Sequence, residues 1–398
     1  MLFNFSRKTG VDLLTKSEVF FRLQGDPREG VVLVFFPMKK SFPKRVAVIY
    51  NSVDEKSEII PPDRRVADED TVAMATDIAA GLKNSFDVLL KEIPFSRPQA
   101  AGELKADLVF NLCEGTGYEF ACAVIDSLEA AGLPYVGANS TNYRIGSDKA
   151  VLNDYLKRVG LPTPKGQFFS DPDARIDPRL DYPLLVKPEF EHGSVGITKD
   201  SVVTNETDLK KQLKKVCTEY DGGAMVEEYI DGRELQLTLI GNPGKMTVLP
   251  IKEILFTGEM ARGWHIVTFA AKWKEDSDEY KETPTVCPAE NLSFQEVERL
   301  SRLGKEVFEK TECRDYTRID IRYRQKTGAP FILDVNPNPD LSSDAAVARA
   351  ATVYGWGYKE LLREIVMAAW QRYGKKTISS PVSARRREYL PAPEEVLP

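Results

Sequence analysis

The chain has 398 residues, with 54 Lys and Arg against 60 Asp and Glu and a formal charge of −6. That length suits two or three domains, the mild acidity argues against a general nucleic-acid binder, and no apolar run approaches the ~20 residues that span a bilayer. The first eight residues have no long apolar core behind their basic side chains, so they do not read as a secretory signal. Five scattered cysteines without Cys-x-x-Cys, beside only two histidines, argue against structural zinc and fit a reducing cytoplasm.

Along the chain, residues 31–36 and 46–50 are short apolar runs that read as strands. Residues 70–81 read as a helix with Val72, Met74, Ala75 and Ile78 apolar, and 107–112 as a buried strand. That strand runs into a glycine turn, 113–117, and a helix over 118–131. Strand, turn, helix, strand is a βαβ rhythm, so the first ~140 residues predict a small parallel α/β domain. Gly115 and Gly117 are a weak phosphate signal; a tight strand-to-helix turn explains them as well. Ser147-Asp148 can cap a helix reaching Val159, stopped by Leu161-Pro162-Thr163-Pro164. Residues 183–187 predict a strand, 189–196 a glycine-bearing loop, and 206–217 a helix. Strands over 224–230 and 234–240 are joined at Asp231-Gly232, and 248–254 predicts another strand. Residues 256–283 read as irregular, 294–310 as a helix, and 343–354 and 358–373 as two closing helices. The tail from Lys375 reads as disordered. No internal repeat is present.

Residues 317–322 and 331–338 alternate apolar and polar residues and predict two strands, joinable as a hairpin through the polar stretch 324–329. Alternation puts Arg318, Asp320 and Arg322 on one face, and Asp334 and Asn336 on one face of the second strand. If those faces coincide, two carboxylates and an amide oxygen meet beside an arginine, a hard oxygen set that suits Mg²⁺ together with phosphates. A solvated polar face with incidental ion pairs gives the same pattern. Lys187 ends an apolar strand, where an ammonium is costly unless it meets an anion. The following Gly193-Ser194-Val195-Gly196 loop can turn backbone N–H groups toward a phosphate, although it is not a P-loop. Lys149, in a first helical turn, opposes the helix dipole unless an anion sits there. Glu227, Glu228 and Glu234 flank a strand junction whose backbone can read an adenine edge; a charged hairpin is the plainer reading.

These features run in order: Asp148-Lys149, Val186-Lys187-Pro188, His192–Gly196, Glu227-Glu228-Tyr229-Ile230 with Glu234, Ala271-Lys272-Trp273, Arg318-Ile319-Asp320 and Asp334-Val335-Asn336-Pro337. In that order and spacing the chain resembles the ATP-grasp superfamily, and within it the D-alanine–D-alanine ligases, over residues 107–370. The resemblance implies an α/β fold, α+β in its ATP-binding part. It implies a parallel α/β domain with an N-terminal extension over 1–143, a central ATP-grasp subdomain over 144–232 and a C-terminal one over 233–374. It implies ATP and two Mg²⁺ ions (or Mn²⁺) as cofactors, small amino-acid or peptide substrates, no nucleic acid or membrane partner, and a homodimer. Lys149 and Lys187 would hold the phosphates under a loop of Gly193, Ser194 and Val195. Glu227, Glu228 and Ile230 would line the adenine pocket, and Glu234 would bind the ribose. Asp320, Asp334 and Asn336 would bind metal; Arg318, Lys272 and Ser194 would be catalytic, with Lys272-Trp273 in a lid formed by 256–283.

The implied reaction is ATP-dependent amide formation through an acyl phosphate. Departures lie on the substrate side. Residues 50–58 lack the family's Gly-Gly-x-Ser-x-Glu signature, leaving Glu58 as a candidate for the glutamate that grips the first amine. Asp340 replaces a glycine of the oxyanion hole, Ala345 a serine that binds the second substrate's carboxylate, and Trp273 the lid tyrosine. Together they imply substrates other than a D-alanine pair. A non-catalytic ATP-binding relative and an unrelated Mg²⁺ phosphotransferase are the alternatives.

Overall fold

The computed structural model describes residues 19–24, 32–37, 42–51, 62–115, 118–324 and 326–374. Residues 1–42 and 43–398 form two compact units. Within the first, β1 (Val19–Gln24) pairs antiparallel with β2 (Val32–Pro37). The tail beyond 374 and Glu58 lie outside the described residues.

The second unit begins with a four-stranded sheet. Its elements are β3 (Arg45–Tyr50), α1 (Pro62–Leu82), β4 (Asp87–Glu92), β5 (Leu108–Asn111), α2 (Glu119–Ala130) and β6 (Tyr135–Val136). The strands are parallel in the order β4-β3-β5-β6. Val46 to Ile49 are fully buried, as expected of a central parallel strand covered on both faces. Alternation sends Val46 and Val48 into one apolar layer and Ala47 and Ile49 into the other. Two short helices follow, α3 (Ser140–Ser147) and α4 (Lys149–Arg158), the latter N-capped by the Asp148 side chain on the Val151 N–H.

A second sheet holds β7 (Gly166–Phe169), β8 (Leu184–Pro188), β9 (Val202–Val203) and, after α5 (Glu206–Glu219), β10 (Ala224–Glu228), in the order β7-β10-β8-β9. A third holds β11 (Arg233–Asn242), β12 (Lys245–Val248), β13 (Lys252–Ile254), then, after α6 (Phe269–Trp273) and α7 (Asp278–Lys281), β14 (Thr285–Val286). It is completed after α8 (Phe294–Lys310) by β15 (Asp315–Arg324) and β16 (Ala329–Asn336), in the order β14-β13-β11-β15-β16. The chain closes with α9 (Ala346–Tyr354) and α10 (Tyr358–Gly374). Helix α8 opens with a reciprocal Ser293–Glu296 capping box and buries Leu300, Val307 and Phe308 against Leu235, Leu237, Ile319 and Ile321. The opposite face of this sheet carries its polar residues. Among the described residues no helix is long and apolar enough to cross a membrane.

Several expectations change. The strands on either side of Asp231-Gly232 are not a hairpin: β10 and β11 belong to different sheets, and the junction is a crossing. Gly232 sits at φ 155° with Tyr323 O only 2.5 Å from where a Cβ would stand, so the crossing needs a glycine. The single strand expected over 248–254 is two, because Leu249 bonds Thr238 through its N–H while Lys252 pairs with Gln236. The irregular stretch 256–283 contains α6 and α7. Strands β4 and β7 and helix α3 lacked a readable apolar period.

Helix α10 returns to the first sheet, where Leu361, Leu362, Ile365 and Val366 share a core with Ala75 and Ile78. Its Arg372 pairs at 2.8 Å with the fully buried Asp315, which also accepts the Gly137 N–H at 2.9 Å. Removing the guanidinium strands a buried carboxylate. Arg372→Met therefore lowers stability by about 3–5 kcal/mol, measured as a fall in urea midpoint at unchanged m-value.

Glu189, buried beside Asp148, accepts the Gly223 N–H at 3.1 Å. Burial, reinforced by Asp148, raises it from 4.5 to about 7. A raised acid stabilises the fold fully below its ordinary value and loses that contribution as pH climbs through its folded value. The thermal midpoint of the wild type is expected to fall between pH 5 and 8 in part through this group, from the shift of 4.5 to about 7. Glu189→Gln, which keeps the acceptor, flattens that part of the profile.

Candidate active site

The polar face of the third sheet is built in rows. Across β11, β15 and β16 stand Thr238, Arg318 and Asn336. The next row is Lys252, Gln236, Asp320 and Asp334, and the next Ile254, Glu234, Arg322 and Phe331. From the hairpin turn inward, Arg322 faces Phe331 and Ile321 faces Ile332; the register then skips Leu333, so that Asp320 faces Asp334. This bulge makes the two faces inferred from alternation coincide.

Arg318 holds Asp320 with two bonds, 2.8 and 2.9 Å, and the Asn336 amide lies 3.3 Å from the same carboxylate. Burial raises Asp334, Lys149 opposes that shift, and Asp320 adds to it. Two carboxylates and an amide facing one cavity form a set that a hard divalent cation and phosphate oxygens complete. Among the described residues, no group of three His, Cys, Asp or Glu could hold a metal ion by itself.

Above this floor lies a cleft of about 780 Å³, lined by Lys149, Lys187, Gly193, Ser194, Val195, Glu234, Lys272, Arg318, Asp320, Asp334 and Asn336. The Lys149 ammonium is held by the Glu191 carbonyl, and burial lowers its pKa. Lys187, on β8, meets Glu227 at 2.5 Å, so the anion expected for this lysine is supplied by the protein. Glu234 pairs with Arg322 at 2.7 Å, and burial raises its pKa. Gly193 and Ser194 both adopt positive φ, 63° and 65°. For a serine that conformation is strained, and it turns the loop backbone over the cleft. The loop is joined to α6: Trp273 Nε1 donates to Gly193 O at 2.8 Å, and Phe269 N to Ile197 O at 2.9 Å. Lys272 sits 4.8 Å above the Trp273 ring.

Three expected residues do not line the cleft. Glu227 faces Lys187 and Asn153, Glu228 pairs with Lys165 at 2.9 Å, and Ile230 is buried in the crossing between sheets. A smaller cleft of about 180 Å³ adjoins the first, reaching from Arg318, Asn336 and Asp340 to Glu114 and Gly115 of the glycine turn.

Other lining residues had no role assigned from the sequence, although His192 stands in the His192–Gly196 motif. His192 lines both clefts, and burial, followed by Lys149, pushes it down to about 3, so its imidazole is neutral. Lys252 and Arg349 line the large cleft, and burial, then Arg318 and Arg349, lowers Lys252 to about 8. The signal for Lys252 was present: like Lys187, it interrupts an apolar run.

A family model described as D-ala D-ala ligase C-terminus matches residues 156–367. An uncharacterized protein, y4sG, of Sinorhizobium fredii is 32% identical, over 67% of this chain and 75% of its own. The D-alanine–D-alanine ligase of Ruminiclostridium cellulolyticum is 28% identical, over 68% and 71%. Among solved structures, the Bacillus anthracis D-alanine–D-alanine ligase complexed with ATP superposes with TM-score 0.64 at 22% identity, covering 84% of this chain and 100% of that one. The VanG D-Ala:D-Ser ligase of Enterococcus faecalis gives TM-score 0.62 at 19% identity, over 82% and 99%. With more than half its length matched by the family model, this chain belongs to the D-alanine–D-alanine ligase-like family and has the ATP-grasp fold.

Proposed function

We propose that this protein is an ATP-dependent, ADP-forming carboxylate–amine ligase acting on amino acids or small peptides, with substrates other than a D-alanine pair. One observation carries the reading: Asp320 faces Asp334, and Arg318 faces Asn336, on the floor of a cleft that also receives Lys149 and Lys187. Residues 144–232 and 233–374 are the two halves between which ATP is held. Lys149 and Lys187 contact its phosphates, Glu234 its ribose, and the backbone between Glu228 and Ile230 its adenine. Asp320, Asp334 and Asn336 hold Mg²⁺, which when bound spreads phosphate charge.

A donor carboxylate oxygen attacks the γ-phosphorus as the bond to the ADP oxygen breaks, giving an acyl phosphate. The acceptor amine then adds to the acyl carbon, phosphate leaves with the C–O electron pair, and the amine loses a proton. Arg318, held in place by Asp320, faces the oxyanion. Ser194 and Lys272, on the two covers of the cleft, position phosphate and exclude water. The replacements Trp273, Asp340 and Ala345 support a departure from D-alanine substrates.

The test is ADP release on adding amino-acid and dipeptide pools, with products identified by mass. Amine-dependent ADP is expected; ordinary ATP binding without it would leave the chain a non-catalytic ATP-binding relative. Asp334→Asn relieves the burial and the Asp320 repulsion that now raise Asp334. It should therefore keep or raise the thermal midpoint while lowering kcat/KM by about 10²-fold or more. An active Asp334→Asn protein would displace the proposed site.

A further inference from the structure

Of the cleft-lining cations that the proposed ATP site does not use, Arg322 is paired with Glu234 and Lys281 donates to the Asp276 carbonyl, which leaves Lys252 and Arg349. Lys252 stands in the Asp320 row but two strands away, across Gln236; at ~4.8 Å per strand it is well removed from the Asp320–Asp334 pair. Arg349 enters from α9, one helical turn after Ala345, whose carbonyl accepts its N–H at 3.0 Å. Both line the same cleft beside Arg318. Lys252 is partly buried, and among the described residues its ammonium has no hydrogen bond or ion pair. Arg349 is exposed; its guanidinium donates only to the Asp344 carbonyl oxygen, at 2.7 Å, and has no ion pair among the described residues.

Other charges at this end are otherwise engaged. Asp320 is held by Arg318, Glu234 by Arg322, and Lys187 by Glu227. Asp340 and Asp344 also line the cleft, and Asp340 is bonded to Ser342. Neither forms an ion pair with Lys252 or Arg349 among the described residues. Beside them, Gln236 is nine-tenths buried, with an Oε1 that has no partner among the described residues and suits a donor, the acceptor's amine rather than its carboxylate. The cost falls on Lys252: burial, with Arg318 and Arg349 nearby, disfavours its ammonium until an anion joins it. The anion is not the triphosphate, because the phosphate-facing lysines enter from the other sheet and α4.

We propose that Lys252 and Arg349 together bind a carboxylate of the acceptor, and that the acceptor is an anionic amino acid or peptide bearing more carboxylates than amines. Two formal charges take the place of the single serine hydroxyl that Ala345 lacks. Asp340 is the nearby carboxylate that can face the acceptor's amine. This inference rests on the ligase reading.

The probes are matched acids and amides: aspartate with asparagine, glutamate with glutamine, in both D and L forms, and Gly-Glu with Gly-Gln. Binding to the full chain with Mg²⁺–ADP is measured by calorimetry, and ADP release from ATP in the presence of an amino-acid pool. At least one acid should bind and turn over about tenfold better than its amide, the scale of one charge-assisted contact. Lys252→Met and Arg349→Met should each erase that preference without changing ATP affinity. Equal use of acid and amide across all pairs, or a preference that survives both substitutions, overturns the proposal. Weaker ATP binding in Lys252→Met also overturns it, by assigning the lysine to the triphosphate. An acid preference in binding with no ADP from any probe would instead leave this site standing and remove the ligase reading.

Discussion

The site depends on one skipped residue. With an unbroken register in the β15–β16 hairpin, Leu333 would face Asp320, and Asp334 would be displaced along the ladder. The bulge between Asp320 and Ile321 restores carboxylate against carboxylate without moving Ile321 and Ile332 from the core they share with α8. A one-residue shift normally turns a whole strand over. Here it is confined to one position, so the apolar half of the hairpin stays buried and the polar half faces the cleft.

Around that pair, charge is distributed in fixed couples. Arg318 with Asp320, Arg322 with Glu234, Lys187 with Glu227 and Arg233 with Glu253 are all largely shielded from solvent. Such pairs add little net stability over apolar packing, because desolvation offsets most of the attraction. Their value is geometric: each fixes the direction of a side chain before any ligand arrives. Asp334, a carboxylate whose burial raises its pKa, stands outside these couples, and so does Lys252, whose burial lowers it.

Much of this was legible in the chain. Local signals were read correctly where one period or one cap decides the structure: the helix over 294–310, the Asp148 cap of α4, the alternation of β15; the Ser293–Glu296 box went unread. Reading failed where partners are distant. Asp231-Gly232 looks like a hairpin turn, and only the separate fates of β10 and β11 show a crossing between sheets. Strand β4 is mostly exposed at a sheet edge, so its DVLLKE run carries little pattern. Glu227 lies 40 positions from Lys187, and no spacing rule predicts that they pair at 2.5 Å. The bulge at Leu333 has no glycine to announce it. Lys252 was hidden inside what read as a single strand.

The bonds from Trp273 to Gly193 and from Phe269 to Ile197 tie two coverings to each other. Each is worth ~1 kcal/mol, enough to couple the loop to α6 and too little to fix the cover permanently. Both coverings line the same cleft, the loop through Gly193, Ser194 and Val195 and α6 through Ala271 and Lys272. On the proposed reading, nucleotide and acceptor are therefore screened from water by one linked cover rather than by two independent ones.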